Sequence, residues 1–330
     1  MDLIATLIAI FTFSSLLTYI ITPIMIRKMV RRGITGKDMN KYEKPEVAEM
    51  GGISVMLGFS FGIISAIFII TYLGLENVNL TILFAGFLTI FTTGFIGVVD
   101  DLIGWKKGIR QWQHALFPIF AALPLMAVRA GTDYVVLPFF GPINLGIAYS
   151  LLVVPIAITG ASNAFNMLAG LNGLETGLGI IIISTLTLIA AMTGQTEALI
   201  IGIAILGALL IFLHFNWFPA KVFGGDSLTL MIGATAATIS IIGNMEKIGV
   251  MIIALYWIEL ILKAKSKFQA ESFGIPNKHN ILSPPKNINS ITHLVMTIKP
   301  MTEKQVVITI LSIQVIISTI VFTMFYFKLL

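Results

Sequence analysis

The chain has 330 residues, 57% hydrophobic and only 11% charged, with 21 Lys and Arg against 16 Asp and Glu and a formal net charge of +5. With a mean hydropathy of +0.95, that balance excludes an ordinary soluble domain and a disordered chain. The lack of cysteine excludes a disulfide scaffold and a thiolate metal site. The basic residues lack the aromatic interleaving of a nucleic-acid binder, so no nucleic acid is expected. Basic loops that set topology and touch membrane-lipid head groups account for the charge.

A membrane span needs roughly 20 apolar residues, and ten stretches qualify: about 3–26, 52–73, 80–99, 112–128, 146–162, 177–193, 197–213, 227–243, 248–263 and 305–327. The first is too long for a signal-peptide core, lacks a basic leader and is followed by cations, so it reads as a retained anchor. The expected fold is an all-α polytopic membrane protein, a single integral-membrane domain over 1–330. A small surface hairpin is expected at about 131–145, where apolar residues alternate around "PFFGP".

Cations orient the chain. With both termini outside, the inner loops are about 27–51, 100–111, 163–176, 214–226 and 264–304. Together with Lys263 at the edge of the ninth span, they hold 18 of the 21 Lys and Arg. The same loops also hold Asp38, Glu43, Glu46, Glu49, Asp100, Asp101, Glu175, Asp226, Glu271 and Glu303. The positive-inside rule does not call for these acids.

In chain order, "GFIGVVDD" closes the third span with Asp100 and Asp101. Two like charges at the negative pole of a helix dipole repel each other and the helix end. Either Lys106, Lys107 and Arg110 neutralise a solvated loop start, or the pair addresses a divalent cation or a phosphate. "SNAFNMLAGLNGLETG" follows, with Asn163 and Asn166 on one helix face and Asn172 after a glycine. These amides suit a hard cation, a sugar or a base; helix capping is the plainer reading. In "HFNWFPAKVFGGDSLTL", Gly224 and Gly225 lead into Asp226. Asp226 is there as an N-cap, or as a metal ligand beside a phosphate held on helix N–H groups. The last loop offers Lys278 and His279 as phosphate or sugar contacts. His114, His214, His279 and His293 lack zinc spacing. Within the spans Glu259 is the main charge, with Lys263 one turn on.

Acids suited to Mg²⁺, amides, glycine-led helix starts and cations on one face are the parts needed for phosphoryl transfer from a soluble diphosphate-bearing substrate to a lipid phosphate. The motifs "GFIGVVDD", "NAFNMLAGLNGLE" and "HFNWFPAKVFGGD", and more loosely "KPEVAEMGGI" and "NKHN", resemble those of the polyprenyl-phosphate N-acetylhexosamine-1-phosphate transferases, a glycosyltransferase family 4 type superfamily. "AGLNGLE" is most similar to the UDP-GlcNAc–dolichyl-phosphate GlcNAc-1-phosphate transferase branch. The bacterial phospho-N-acetylmuramoyl-pentapeptide transferases carry an Asp-rich version of that motif instead.

The resemblance implies a ten-helix, often dimeric enzyme that depends on Mg²⁺, with Mn²⁺ as a substitute. GlcNAc-1-phosphate would pass from UDP-GlcNAc to a polyprenyl or dolichyl phosphate at the cytosolic face, releasing UMP, as a first membrane step of N-glycan assembly. The host would be the cell membrane of an archaeal-like prokaryote or the endoplasmic reticulum membrane of a eukaryote. By position, Asn166 and Asp226 would be the metal ligands, and Asp100 and Asp101 would line the acceptor phosphate and cation, with Asp100 the candidate base. Asn172 would lie near the uridine, with Asn163 in the same substrate-binding group. Glu49, Lys278 and His279 would lie near the sugar diphosphate.

This chain departs from the family pattern at two places. Arg110 or Lys107 stands where the family has a lysine after the acidic pair, and Lys278-His279-Asn280 has one cation fewer than the family triplet. Another UDP-N-acetylhexosamine is the alternative substrate. A transporter or lipid-phosphate flippase is the alternative class, disfavoured because transporters place ionisable groups near the midplane, whereas these acids gather at helix ends.

Overall fold

The structure, a computed structural model, describes residues 2–74, 78–104, 116–137 and 141–329. Lys106, Lys107, Arg110 and His114 lie outside the described residues.

Helix α1 (Leu3–Arg31) leads to a short antiparallel pair, β1 (Thr35–Lys37) and β2 (Glu46–Ala48), and then to α2 (Gly52–Leu73) and α3 (Leu80–Gly104). Short helices α4 (Pro118–Ala121) and α5 (Leu123–Ala127) precede the hairpin strands β3 (Tyr134–Leu137) and β4 (Gly141–Asn144). Tyr134 pairs with Asn144 across that hairpin, inside the stretch expected to form one. A π-helical turn at Tyr149–Val153 opens α6 (Val154–Met167), followed by α7 (Leu174–Thr193), α8 (Thr196–Asn216), α9 (Asp226–Ile242), α10 (Glu246–Ile252) and α11 (Ala254–Ala264). Strands β5 (Ile275–Pro276) and β6 (Ile281–Ser283), helix α12 (Ile291–Ile298) and strand β7 (Met301–Thr302) lead into α13 (Glu303–Tyr326). Thr302 and Gln305 cap that last helix reciprocally.

Among the described residues seven helices are long and apolar enough to cross a membrane, in keeping with an all-α polytopic membrane protein. The other three expected spans look different. The described part of 112–128 is α4 and α5, each with a proline in its first turn, where the missing N–H is tolerated and the preceding helix must stop. Stretch 248–263 is broken at Ile253 into α10 and α11. The carbonyls exposed by that break are met from the side: Trp257 Nε1 donates to Val250 O at 3.1 Å, and Gln314 Nε2 of α13 donates to Ile252 O at 3.0 Å. Broken backbone at membrane depth persists only when such partners exist. The third, α9, has 17 residues.

Helix α9 is apolar all round because it is the centre of the bundle. Every residue from Ser227 to Ile242 is buried, and α3, α6, α7 and α8 pack on it. Helix α1 lies at the rim and buries only a narrow stripe, Thr6, Ile10, Ser14, Thr18 and Thr22, repeating every four residues. In that stripe Ser14 Oγ donates to Ala204 O at 2.6 Å, and beside it Ser15 Oγ donates to Gly207 O at 3.0 Å, so small hydroxyl residues bring α1 and α8 backbones together.

Hydrogen bonds bring described residues of all five expected loops together at one end of the bundle. The segment before α9 runs beside β2: Phe223 N donates to Ala48 O at 2.8 Å, Gly51 N to Phe223 O at 2.9 Å and Gly52 N to Gly224 O at 2.8 Å. Asp101 reaches Asp226, Asn172 reaches Asp38 and Glu303, and Gly274 reaches Asn40.

Candidate active site

The adjacent acids Asp100 and Asp101 lie near the end of α3. Asp100 is 7% exposed. Asp101 turns to the start of α9, where its carboxylate accepts from Asp226 N at 2.8 Å, Ser227 Oγ at 2.8 Å and Ser227 N at 3.2 Å. Leu228 N and Thr229 N both donate to Gly225 O, at 3.1 and 3.3 Å. The first four amides of α9 are thereby all satisfied, so this helix start is no open phosphate cradle, contrary to one expectation from its paired glycines. Asp226 is the first residue of the helix and not its N-cap; Asp101, delivered by another helix, does the capping. The same contact answers the electrostatic problem of the paired acids. Asp101 ends α3 at a negative dipole pole but sits on the positive pole of α9.

Two glycines make this approach sterically open. Gly225 has φ +73°, a left-handed conformation that suits glycine, and a Cβ there would stand 2.5 Å from Asp101 Oδ2. A Cβ on Gly97 of α3 would stand 2.5 Å from Asp226 O, Ser227 Cα and Ser227 N. Asp226 itself is half-buried at the mouth of this packing.

Glu49 follows β2, held by its N–H donating to Ile34 O at 3.2 Å, and its side chain lies over Gly36. Burial, and then the Asp226 carboxylate, push the Glu49 carboxyl above its usual range. The Asp101 carboxyl is pushed up to about 7, by burial first and the Asp226 carboxylate second, against the pull of its donors at the start of α9. Glu49, Asp101 and Asp226 thus bring three acids together from segments distant in sequence. Asn163 and Asn166 are half-buried three residues apart near the end of α6, which packs on α9. Asn163 Nδ2 donates one turn back to Thr159 O at 2.8 Å.

Asn172 is 2% exposed, between the left-handed glycines Gly170 and Gly173. Its Nδ2 donates to Asp38 Oδ2 at 3.1 Å and its backbone N to Glu303 Oε1 at 2.7 Å. Lys41 joins the two acids, pairing with Glu303 and lying 3.3 Å from Asp38 Oδ2. Sequence reasoning passed over Lys41 because a cation in a basic loop reads as topology. "DMNK", an acid, an amide and a cation within four residues, was the available signal. Lys278 and His279 are exposed at the tip of the β5–β6 hairpin, a turn closed by Asn280 N donating to Asn277 O at 2.9 Å. The tip reaches the first loop through Tyr42 N, which donates to Asn280 Oδ1 at 2.8 Å.

His293 is a structural histidine. Its Nδ1 accepts from Asn289 N at 3.3 Å, so Nε2 carries the proton and donates to Phe273 O at 3.0 Å. Burial, with the Lys263 ammonium adding to it, holds this imidazole below its ordinary value, against the pull of the Phe273 carbonyl. A depressed histidine stays neutral in the fold while the unfolded chain gains a proton. Stability is therefore lost as pH falls through the ordinary histidine range of about 6.5. His293→Gln is expected to flatten the dependence of melting temperature on pH between 7 and 5; an unchanged slope would refute it.

The donor set fits a hard divalent cation of the Mg²⁺ kind. Among the described residues no cluster of three or more acids or histidines closes a cage. Mg²⁺ needs no such cage, since it keeps waters and is commonly held by one or two carboxylates plus substrate phosphate. The Asp226 charge that adds to burial in raising Glu49 is charge that such a cation would compensate.

A family model described as glycosyl transferase family 4 matches residues 83–244, which include both α3 acids, the three asparagines and Asp226. The chain is 37% identical, over 93% of its own length and 93% of the other, to a Saccharolobus solfataricus protein named as a UDP-N-acetylglucosamine–dolichyl-phosphate N-acetylglucosaminephosphotransferase. The similarly named protein of Dictyostelium discoideum is 26% identical, over 97% of this chain and 88% of that one. A phospho-N-acetylmuramoyl-pentapeptide-transferase of Clostridium beijerinckii is 30% identical, over 78% and 79%.

Proposed function

The chain belongs to glycosyl transferase family 4, and we propose that it transfers GlcNAc-1-phosphate from UDP-GlcNAc to a polyprenyl or dolichyl phosphate in the membrane. The products are lipid-diphosphate-GlcNAc and UMP. The observation that carries this reading is the Asp101-capped start of α9, which holds Asp226 near Glu49 while α6, the helix that carries Asn163 and Asn166, packs on α9. Relatives over nearly the whole chain whose names state that reaction support it.

In this reading the chain crosses the membrane ten times, the broken pairs α4–α5 and α10–α11 each counting as one crossing. Both termini lie outside and the acidic end faces the cytosol, as the placement of 18 of 21 cations supports. A lipid surface surrounds the bundle, and a homodimer is compatible with its exposed apolar helices.

Asn166 and Asp226 would hold Mg²⁺ through oxygen. When bound, the ion would supply positive charge against the diphosphate. The remaining work falls to the chain. Asp101 keeps the Asp226 backbone at one depth, and Asp100 lines the acceptor. A lipid-phosphate oxygen attacks the β-phosphorus as the bond from that phosphorus to the bridging oxygen breaks, and UMP leaves with the electron pair. A phosphate with second pKa near 6 is largely ionised at neutral pH, so Asp100 positions the acceptor rather than removing its proton. Lys107 or Arg110, Lys278 and His279 would grip the sugar diphosphate, with Asn163 and Asn172 toward the nucleotide sugar.

Purified protein in detergent, given UDP-GlcNAc, dolichyl phosphate and Mg²⁺, is expected to release UMP only when all three are present. Asp226→Ala is expected to lower the rate by about 100-fold or more, the scale for losing one electrostatic contact in a reaction centre. Turnover with a different UDP-N-acetylhexosamine instead would replace the sugar. Folded protein that releases no UMP from any UDP-sugar would sink the transferase reading and favour a transporter.

A further inference from the structure

Away from Asp226, a second polar cluster is buried where three segments meet. Lys41, between β1 and β2, has a side chain only 12% exposed, and its ammonium lies 4.2 Å from the centre of the Phe218 ring. It pairs with Glu303, the first residue of α13, which is 1% exposed. It also lies 3.3 Å from Asp38 Oδ2, a residue 4% exposed. Each acid then holds one end of Asn172: Glu303 Oε1 takes the backbone N–H and Asp38 Oδ2 takes the side-chain Nδ2–H. Asn40 clamps the same loop, its Nδ2 donating to Gly170 O at 3.0 Å while its Oδ1 accepts from Gly274 N at 3.1 Å.

Burying two carboxylates and an ammonium is expensive, and an apolar cluster would tether three segments at least as well. What the charges add is orientation. An ionised carboxylate only accepts, so Asp38 forces the Nδ2 end of the Asn172 amide toward itself and leaves Oδ1 at the other end. Without Lys41 the two acids would repel each other across the loop.

We propose that Asp38, Lys41 and Glu303 act as a positioning unit for the 170–173 loop, fixing the Asn172 amide so that the enzyme's affinity for its nucleotide-sugar substrate depends on it. This rests on the transferase reading for the identity of the substrate, but not for the tether itself. None of the three acts on the reacting atoms.

The test uses the full-length protein with Lys41→Met, Glu303→Gln, the double variant and Lys41→Arg. Hydrogen exchange at residues 170–173 needs no substrate. It is expected to speed up about tenfold or more in both single variants, the scale for losing a hydrogen bond to a charged group. Unchanged exchange would overturn the proposal whether or not the parent turns over. In steady state, KM for UDP-GlcNAc is expected to rise about tenfold, with kcat within about threefold and KM for the lipid phosphate unchanged. The double variant should be no worse than either single, since either change breaks the unit, and Lys41→Arg should keep near-parental KM. A fall in kcat with KM unchanged, or losses that multiply in the double variant, would overturn the positioning role. A parent that releases no UMP would overturn the transferase reading instead, leaving hydrogen exchange to decide the tether. If Glu303→Gln does not fold, Lys41→Met against Lys41→Arg decides alone.

Discussion

Asp101→Asn is expected to lower UMP release by about 100-fold while leaving the protein folded. The parent carboxylate receives three donors from the start of α9, two backbone N–H groups and the Ser227 hydroxyl. An amide of the same shape offers one acceptor oxygen and turns an NH₂ toward the remaining donors, so at least one contact becomes a repulsion. Each hydrogen bond to a charged group contributes about 1.5–3 kcal/mol, and the carboxylate's interaction with the helix dipole up to about 2 kcal/mol more in a partly buried site. A loss of about 3 kcal/mol in holding Asp226 corresponds to about 100-fold in rate if the transition state depends on that placement. The check has two parts, UMP release and hydrogen exchange at residues 226–229, which should accelerate. Parental activity alongside faster exchange would show that Asp226 placement tolerates the slack, and would refute the positioning of Asp226 by Asp101.

Gly97→Ala is expected to damage stability and activity together. The added methyl would meet Asp226 O, Ser227 Cα and Ser227 N at 2.5 Å, and all three are backbone atoms that cannot rotate aside. Either α3 withdraws from α9 or the first turn of α9 unwinds. Overpacking of this kind costs about 1–3 kcal/mol, and both relaxations displace Asp101 from its donors, so activity should fall by about tenfold or more. Gly160→Ala is the control, because a Cβ there has nothing within 4 Å. It should melt at or slightly above the parent temperature with unchanged activity. Equal behaviour of the two variants would show that the α3–α9 contact is looser than its geometry implies.

The residues expected to carry chemistry divide by how local their signals are. Asn163 and Asn166 were legible because helical periodicity alone puts residues three apart on one face, and α6 keeps both in one helix. Asp226 was legible as the opening of a span after two glycines. That Asp101 caps the start of α9 was not legible. It depends on a contact between residues 125 and 126 positions apart, which neither hydropathy nor spacing encodes. The break of the 248–263 stretch into two helices was not legible for a similar reason. Apolar composition reports burial or lipid contact but not backbone continuity, and the break at Ile253 survives because Gln314, 62 positions away, meets a freed carbonyl.

From the sequence alone came the membrane-embedded helical class, the family and the residue types that gather in the loops. Hydropathy, cation counts and short motifs are sums over neighbouring residues, and the lipid solvent makes those sums decisive. The tertiary structure decided which acid caps, which carboxyls are raised and which lysine pairs with buried acids. Lys41 and Glu303 are 262 positions apart, and Asn172 and Glu303 are 131 apart. A charge changes its role when a partner from another segment replaces its water, and only the fold determines that partner.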